Sequence, residues 1–242
     1  MKGGLVLLSR GGFVSASAAA ISAVGLAANV QAAEPAAPGR APVHFHILSE
    51  AEYNHAGMMD IIAASQKNKQ IFQTNATTLI APGVASIYLH MQSTMNTFEF
   101  SYPETVGTAA TLGVLMGPAI IFALNDATWQ KYKLGAAFQL APTNEYYKAS
   151  SNLDLSAKAD DPNGIYQDWS AQAVLKRGGA FMVCHNATTR VSSVIASKAG
   201  LNPQSVLTDF KANLLPGFNI VPSGVGAVQL AVENGWHLFQ VS

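Results

Sequence analysis

The chain has 242 residues and one cysteine, Cys184. A lone thiol forms no internal disulfide, so no cross-linked framework holds this fold together. Charge is scarce as well. Only 12% of residues are charged, and Lys+Arg and Asp+Glu number 14 each. A nucleic-acid surface needs a clustered basic excess, so nucleic acid is not an expected partner. Also missing are the phosphate-cradling G-x-x-x-x-G-K-[ST], the dinucleotide G-x-G-x-x-G and the G-x-S-x-G elbow. Common nucleotide and hydrolase chemistry is therefore not expected. What remains is apolar: 49% of residues are hydrophobic, which excludes a disordered, solvated chain.

The first 32 residues read as an export signal. Lys2 and Arg10 are their only charges, Phe13 to Ala28 is an Ala-rich uncharged run, and Val30-Gln31-Ala32 offers a small-x-small cleavage site. Ser9-Arg10-Gly11-Gly12-Phe13 is similar to a twin-arginine motif with glycine in place of the second arginine, so the route stays open. The expected location is periplasmic or otherwise exported. Cleavage would leave 12 basic against 14 acidic residues. Ala33 to Pro42 holds three prolines in eight residues and reads as an extended linker.

From residue 43 onward the pattern predicts one α/β domain, with strands and helices alternating to the end. Val43 to Leu48 alternates and reads as the first strand. Glu50 to Gln66 has helical spacing, with Met58, Ile61, Ile62 and Phe72 for one face, and Val84 to Phe100 reads as a second helix. Val106 to Leu124 is 19 residues without a charge. Its glycines and Pro118 favour a buried strand at Ala110 to Met116, a Gly117-Pro118 turn and a helix to Lys133 over a membrane span. Leu140 to Gly164 is a long polar excursion, of the kind that usually serves as a lid or partner contact. Further on come a helix within Asp168 to Arg177, a strand at Ala180 to Val183 and a helix at Asn186 to Ala199. A short helix after Pro203, a strand at Phe218 to Val221, a helix after Gly224 and a strand at Trp236 to Val241 close the pattern. This alternation predicts a three-layer α/β/α fold around a mostly parallel five-stranded sheet. A helical insertion at about 50–83 and a second insertion at 140–164 are expected.

In such sheets, sites form at the carboxyl ends of strands. FMVCHNATTR, at 181–190, puts Cys184 there, just before a helix whose free amides and positive end favour a thiolate. Asn186 is the expected helix cap. His185 is the adjacent candidate, although neighbours on a strand face opposite ways. Arg190, one turn on, faces either an anion or solvent. Gly117 and Pro118 belong to the same end of the sheet and offer amides to an anion. A buried, inert cysteine is the competing reading, since cysteine is among the most buried residue types. His44 and His46 share one strand face and have methionines nearby in sequence, but no compact metal spacing follows, and no metal or other cofactor is expected.

FMVCHNA at 181–187, LLPGFNIVPSGV at 214–225, AVQLAVENGWHLF at 227–239 and LGVLMGPAIIFAL at 112–124 together resemble the DsrE/DsrF-like sulfur-relay family in their order and spacing. The resemblance covers roughly Ala110 to the C-terminus. It implies an α/β/α domain assembling as trimers or hexamers, with sulfur donor and acceptor proteins as partners. It also implies that Cys184 carries a persulfide, in a sulfurtransferase-like role. The alternative is a non-enzymatic oligomeric binding or assembly module of the same fold with Cys184 buried.

Overall fold

The computed structural model describes residues 45–242. The export signal, the linker, and Val43 and His44 lie outside the described residues. Five parallel strands make the central sheet: β1 (Asn68–Thr74), β4 (Ala109–Leu115), β5 (Ala180–Cys184), β6 (Phe218–Val221) and β7 (His237–Val241), in the order β6-β5-β4-β1-β7. Two short strands, β2 (Leu79–Ala81) and β3 (Val84–Ala85), form a separate antiparallel hairpin turned by Pro82 and Gly83.

Alternation within the strands sorts the core into two faces. Ile71, Leu112, Val114, Met182, Cys184 and Val221 pack against α1 (His55–Ile62) and α8 (Gly224–Glu233). Phe72, Leu115, Phe181, Val183, Phe218 and Ile220 belong to the opposite face. That face is covered by α2 (Ser86–Asn96), a 3-10 segment (Gly117–Ala123), α6 (His185–Ala199) and α7 (Pro203–Ala212). The three-layer α/β/α expectation holds, and the sheet is parallel throughout. Between these elements lie α3 (Asp126–Tyr132), α4 (Leu134–Phe138) and α5 (Ala171–Lys176).

The first strand is not where the alternation put it. Phe45 to Ser49 has no regular structure and leads into a 3-10 turn, Glu50–Glu52. Its apolar residues find no sheet: Phe45 and Ile47 are exposed, and Leu48 alone reaches the core. The true first strand is NKQIFQT, inside the segment expected to be a helical insertion, and Phe72 lies on it rather than on a helix. The polar residues that disguise it are used. Lys69 Nζ donates to Asn234 O, Gln70 Nε2 to His237 O, and Gln73 Nε2 to Gln240 Oε1, all clamping β1 to β7 or the turn before it. Trp236 Nε1 adds a bond to Ile62 O.

The helix expected from Pro118 to Lys133 is also broken. Its first part is 3-10, Leu124 is extended, and Asn125 restarts the chain as α3 by accepting the Thr128 N–H. No helix among the described residues is long and apolar enough to cross a membrane.

The polar excursion contains no helix or strand from 140 to 164, as expected, yet it is strapped down. Asn144 Nδ2 donates to the carbonyls of Phe122 and Leu124, and Tyr146 packs its ring on Phe122. At its far end Gln92 Nε2 donates to the carbonyls of Ile165 and Asp168, and Asn96 Nδ2 to that of Tyr166. Arg177 completes this anchor. Its Nη1 donates to Gln92 Oε1 at 2.8 Å and Asn96 Oδ1 at 2.6 Å, and its Nη2 to Glu99 Oε2 at 2.8 Å.

Candidate functional site

Cys184 ends β5 and is itself the cap of α6. Its Sγ accepts the Ala187 N–H at 3.4 Å, and its carbonyl accepts the Thr188 hydroxyl at 2.9 Å. Asn186, the expected cap, lies inside the helix and is half-buried. The thiol is 6% exposed and sits in the apolar layer with Met116 and Val221. Gly224, at the start of α8, approaches so closely that an added Cβ would lie 3.1 Å from Cys184 Cβ and 2.6 Å from Met116 Sδ. The residue is thus buried in the apolar layer, and its sulfur is bonded to one amide.

Gly117 and Pro118 follow Met116 at the same end of the sheet. Gly117 has φ +48°, and a Cβ there would stand 2.5 Å from the Asn75 carbonyl oxygen. Glycine is required here by both conformation and space. Gly117→Ala is expected to cost about 2 kcal/mol or more, from left-handed strain plus the clash with backbone. Urea denaturation checks this; an unchanged midpoint refutes it.

His185 is the next residue and points the other way. Cys184 belongs to the α1/α8 layer, whereas His185 lines a cavity of about 640 Å³ on the side of α7. His46, Glu52, Gln204, Thr208 and Lys211 share that cavity. Gln204, Thr208 and Lys211 stand four and three residues apart along α7, so one helical stripe supplies a wall. Across from it His46 Nε2 lies 2.6 Å from Glu52 Oε1. Glu52 Oε2 accepts the Ser49 N–H at 2.9 Å and its hydroxyl at 2.8 Å. The Ser49 amide, then His46, hold the Glu52 carboxyl down to about 2. Burial, then the neighbouring charges of Lys211 and His46, push His185 down to about 4, so its ring is neutral at physiological pH.

The Thr189 hydroxyl donates to the His185 carbonyl at 3.0 Å and lies 3.5 Å from Nε2. Nδ1 is buried without a hydrogen-bond partner.

No family model matches this chain, and no curated protein sequence matches it. The chemistry therefore stands on the geometry. The structure brings Cys184, His185, Gly117 and Pro118 to one end of the sheet but divides the thiol from the imidazole by a face. Arg190 is exposed and does not line the cavity. Among the described residues no group of three His, Cys, Asp or Glu side chains is placed to hold a metal. His46 is paired with Glu52, His90 packs against Phe239, and Met58, Met91 and Met95 are core. Glu52, Gln204 and Lys211 were missed from the sequence. The stripe of polar positions on the helix after Pro203 hinted at Gln204 and Lys211, and nothing in the sequence hinted at Glu52.

Proposed function

We propose that this chain is a non-enzymatic binding module with a DsrE-like α/β fold. Cys184 is structural in this reading, and the His185 cavity is the recognition site. The observation that carries it is the placement of the thiol: 6% exposed, packed by Met116 and Gly224, and spent as a helix cap. The accessible polar groups beside it belong to the cavity instead. The parallel five-stranded sheet and the Gly-Pro turn after its central strand support the DsrE-like part of the reading.

A second reading, in which Cys184 carries persulfide sulfur, is favoured by one contact. The Ala187 N–H directed at Sγ is the bond that stabilises a thiolate at a helix start. One experiment separates the two. The folded protein is treated at neutral pH with a thiol-alkylating reagent and, separately, with a persulfide donor, and intact mass is followed. Labelling at least about tenfold slower than in denatured protein, with no added sulfur, is expected for a buried thiol. Fast labelling and a one-sulfur adduct on Cys184 would establish the carrier instead.

A further inference from the structure

Two parts of this fold each carry half of a β-ladder. β7 is the last strand of the sheet, and among the described residues it pairs with β1 alone. Its outer edge is open. His237, Leu238, Phe239 and Gln240 are all exposed, whereas β6, at the opposite edge, is largely buried. Solvent-facing edges are ordinarily guarded by Lys, Pro or a bulge. HLFQV holds no Lys, Arg, Asp, Glu or Pro, and its pairing with β1 has no register shift. The other half is the segment Phe45 to Leu48. Among the described residues, its backbone makes no backbone hydrogen bond. Its side chains alternate: Phe45 is 50% and Ile47 89% exposed, while His46 pairs with Glu52 and Leu48 is core. An aromatic and a β-branched residue on the outward side of such a run suit a half-buried strand.

We propose that the Phe45–Ile47 arm of one chain pairs with the β7 edge of a second copy, as a sixth strand of that copy's sheet. The arm's own β7 is out of its reach. Leu48 is seated in the core, and His46 is bonded to Glu52 beside His185, at the end of β5. β4 and β1 lie between β5 and β7, a separation of about 14 Å at about 4.8 Å per strand. In the pairing, Phe45 and Ile47 extend the layer in which Phe239 packs on Phe72 and His90. Aromatic and β-branched side chains facing each other across strands stabilise such a pair. Neither strand carries a Lys, Arg, Asp or Glu, so no like charges oppose each other. Arm and edge are different surfaces of one chain, so each copy gives one arm and receives another. The inference does not depend on the role of Cys184.

Light scattering on the full chain over a concentration series reads association, and far-UV circular dichroism reads the fold. Self-association is expected. Ile47→Pro deletes an N–H that makes no backbone bond among the described residues, so the fold is expected to stay intact. Association is expected to weaken at least about tenfold, through the lost ladder bond and the misfit of proline in a strand. Leu238→Lys, at a half-exposed position, gives the edge a guard and is expected to act in the same direction. Ile47→Cys and Phe239→Cys variants, mixed under mild oxidation, locate the contact, because a disulfide needs the two Cα atoms within about 7 Å. A link between position 47 of one chain and position 239 of another, mapped by mass spectrometry, is the expected product. A monomer at every concentration, association unchanged by Ile47→Pro, or a 239–239 link without the 47–239 link would each overturn the assignment. The last of these would mean that two β7 edges pair with each other.

Discussion

Arg177→Ala is expected to lower the unfolding free energy by about 3–4 kcal/mol, most of it from groups left behind rather than from the lost charge. The Arg177 side chain is 3% exposed, and its Glu99 partner is 37% exposed. An ion pair with one partner that open contributes little by itself. The cost comes from the two amide oxygens that lose their donor: about 1–3 kcal/mol for the buried Gln92 Oε1, and less for the half-buried Asn96 Oδ1. Loss of the guanidinium from the Tyr166 ring, 4.7 Å away, adds about 0.5–1 kcal/mol. Arg177→Lys is expected to recover only a minor part, because an ammonium does not reach three partners in one plane. Gln92 and Asn96 hold the carbonyls of Ile165, Tyr166 and Asp168, so the same variant is expected to loosen the polar excursion before the sheet. Urea denaturation measures the first effect and limited proteolysis within 140–164 the second. A midpoint within the range of ordinary surface substitutions, with the excursion still protected, defeats the argument.

Between pH 6.5 and about 4, the stability of the protein is expected to fall by up to about 3 kcal/mol through His185 alone. The unfolded chain takes up the proton near pH 6.5, while the folded chain resists it until about pH 4. In that window the unfolded state binds more protons, so acid favours unfolding, and the loss is complete once the folded pKa is passed. The cause is burial first, then Lys211 and His46 facing the ring. Glu52 titrates lower, near 2, so its contribution disappears only in stronger acid. His185→Gln has no titrating ring and should flatten the slope between pH 6.5 and 4.5. Denaturation series at several pH values check this; parallel pH profiles for the two proteins would show that the ring does not resist protonation.

Four of the five sheet strands were legible because they are short apolar runs bounded by Gly, Pro or Asn. The mostly buried β4, β5 and β6 read that way as parallel strands do, whereas β7, with His237 to Gln240 exposed, was marked by the Gly235 turn before it. NKQIFQT was illegible for a physical reason. Lys69, Gln70 and Gln73 look like a solvated helix face, and their use lies some 165 residues away, at Asn234, His237 and Gln240. Phe45 to Leu48 erred the other way, with alternation in a segment that has no neighbouring strand to accept it. At the site, the position of Cys184 and the opposed orientation of His185 followed from strand parity. The burial of the thiol did not, because it depends on Gly224 and Met116 closing over it. The cavity was hidden because Glu52, His185 and Lys211 are distant in sequence and meet only when α7 lies beside α6.

The clamp between β1 and β7 sets a clock on the making of this protein. β1 occupies residues 68–74, yet its outer neighbour is not synthesised until residue 241. Until then Phe72 and Ile71 lack that neighbour, with one ladder of backbone groups open to other chains. Pairing across so long a separation carries a large loop-closure cost and slows folding. A nascent chain on the ribosome therefore holds an unpaired sheet edge through about two thirds of its synthesis, and a binder of extended apolar segments has its target there.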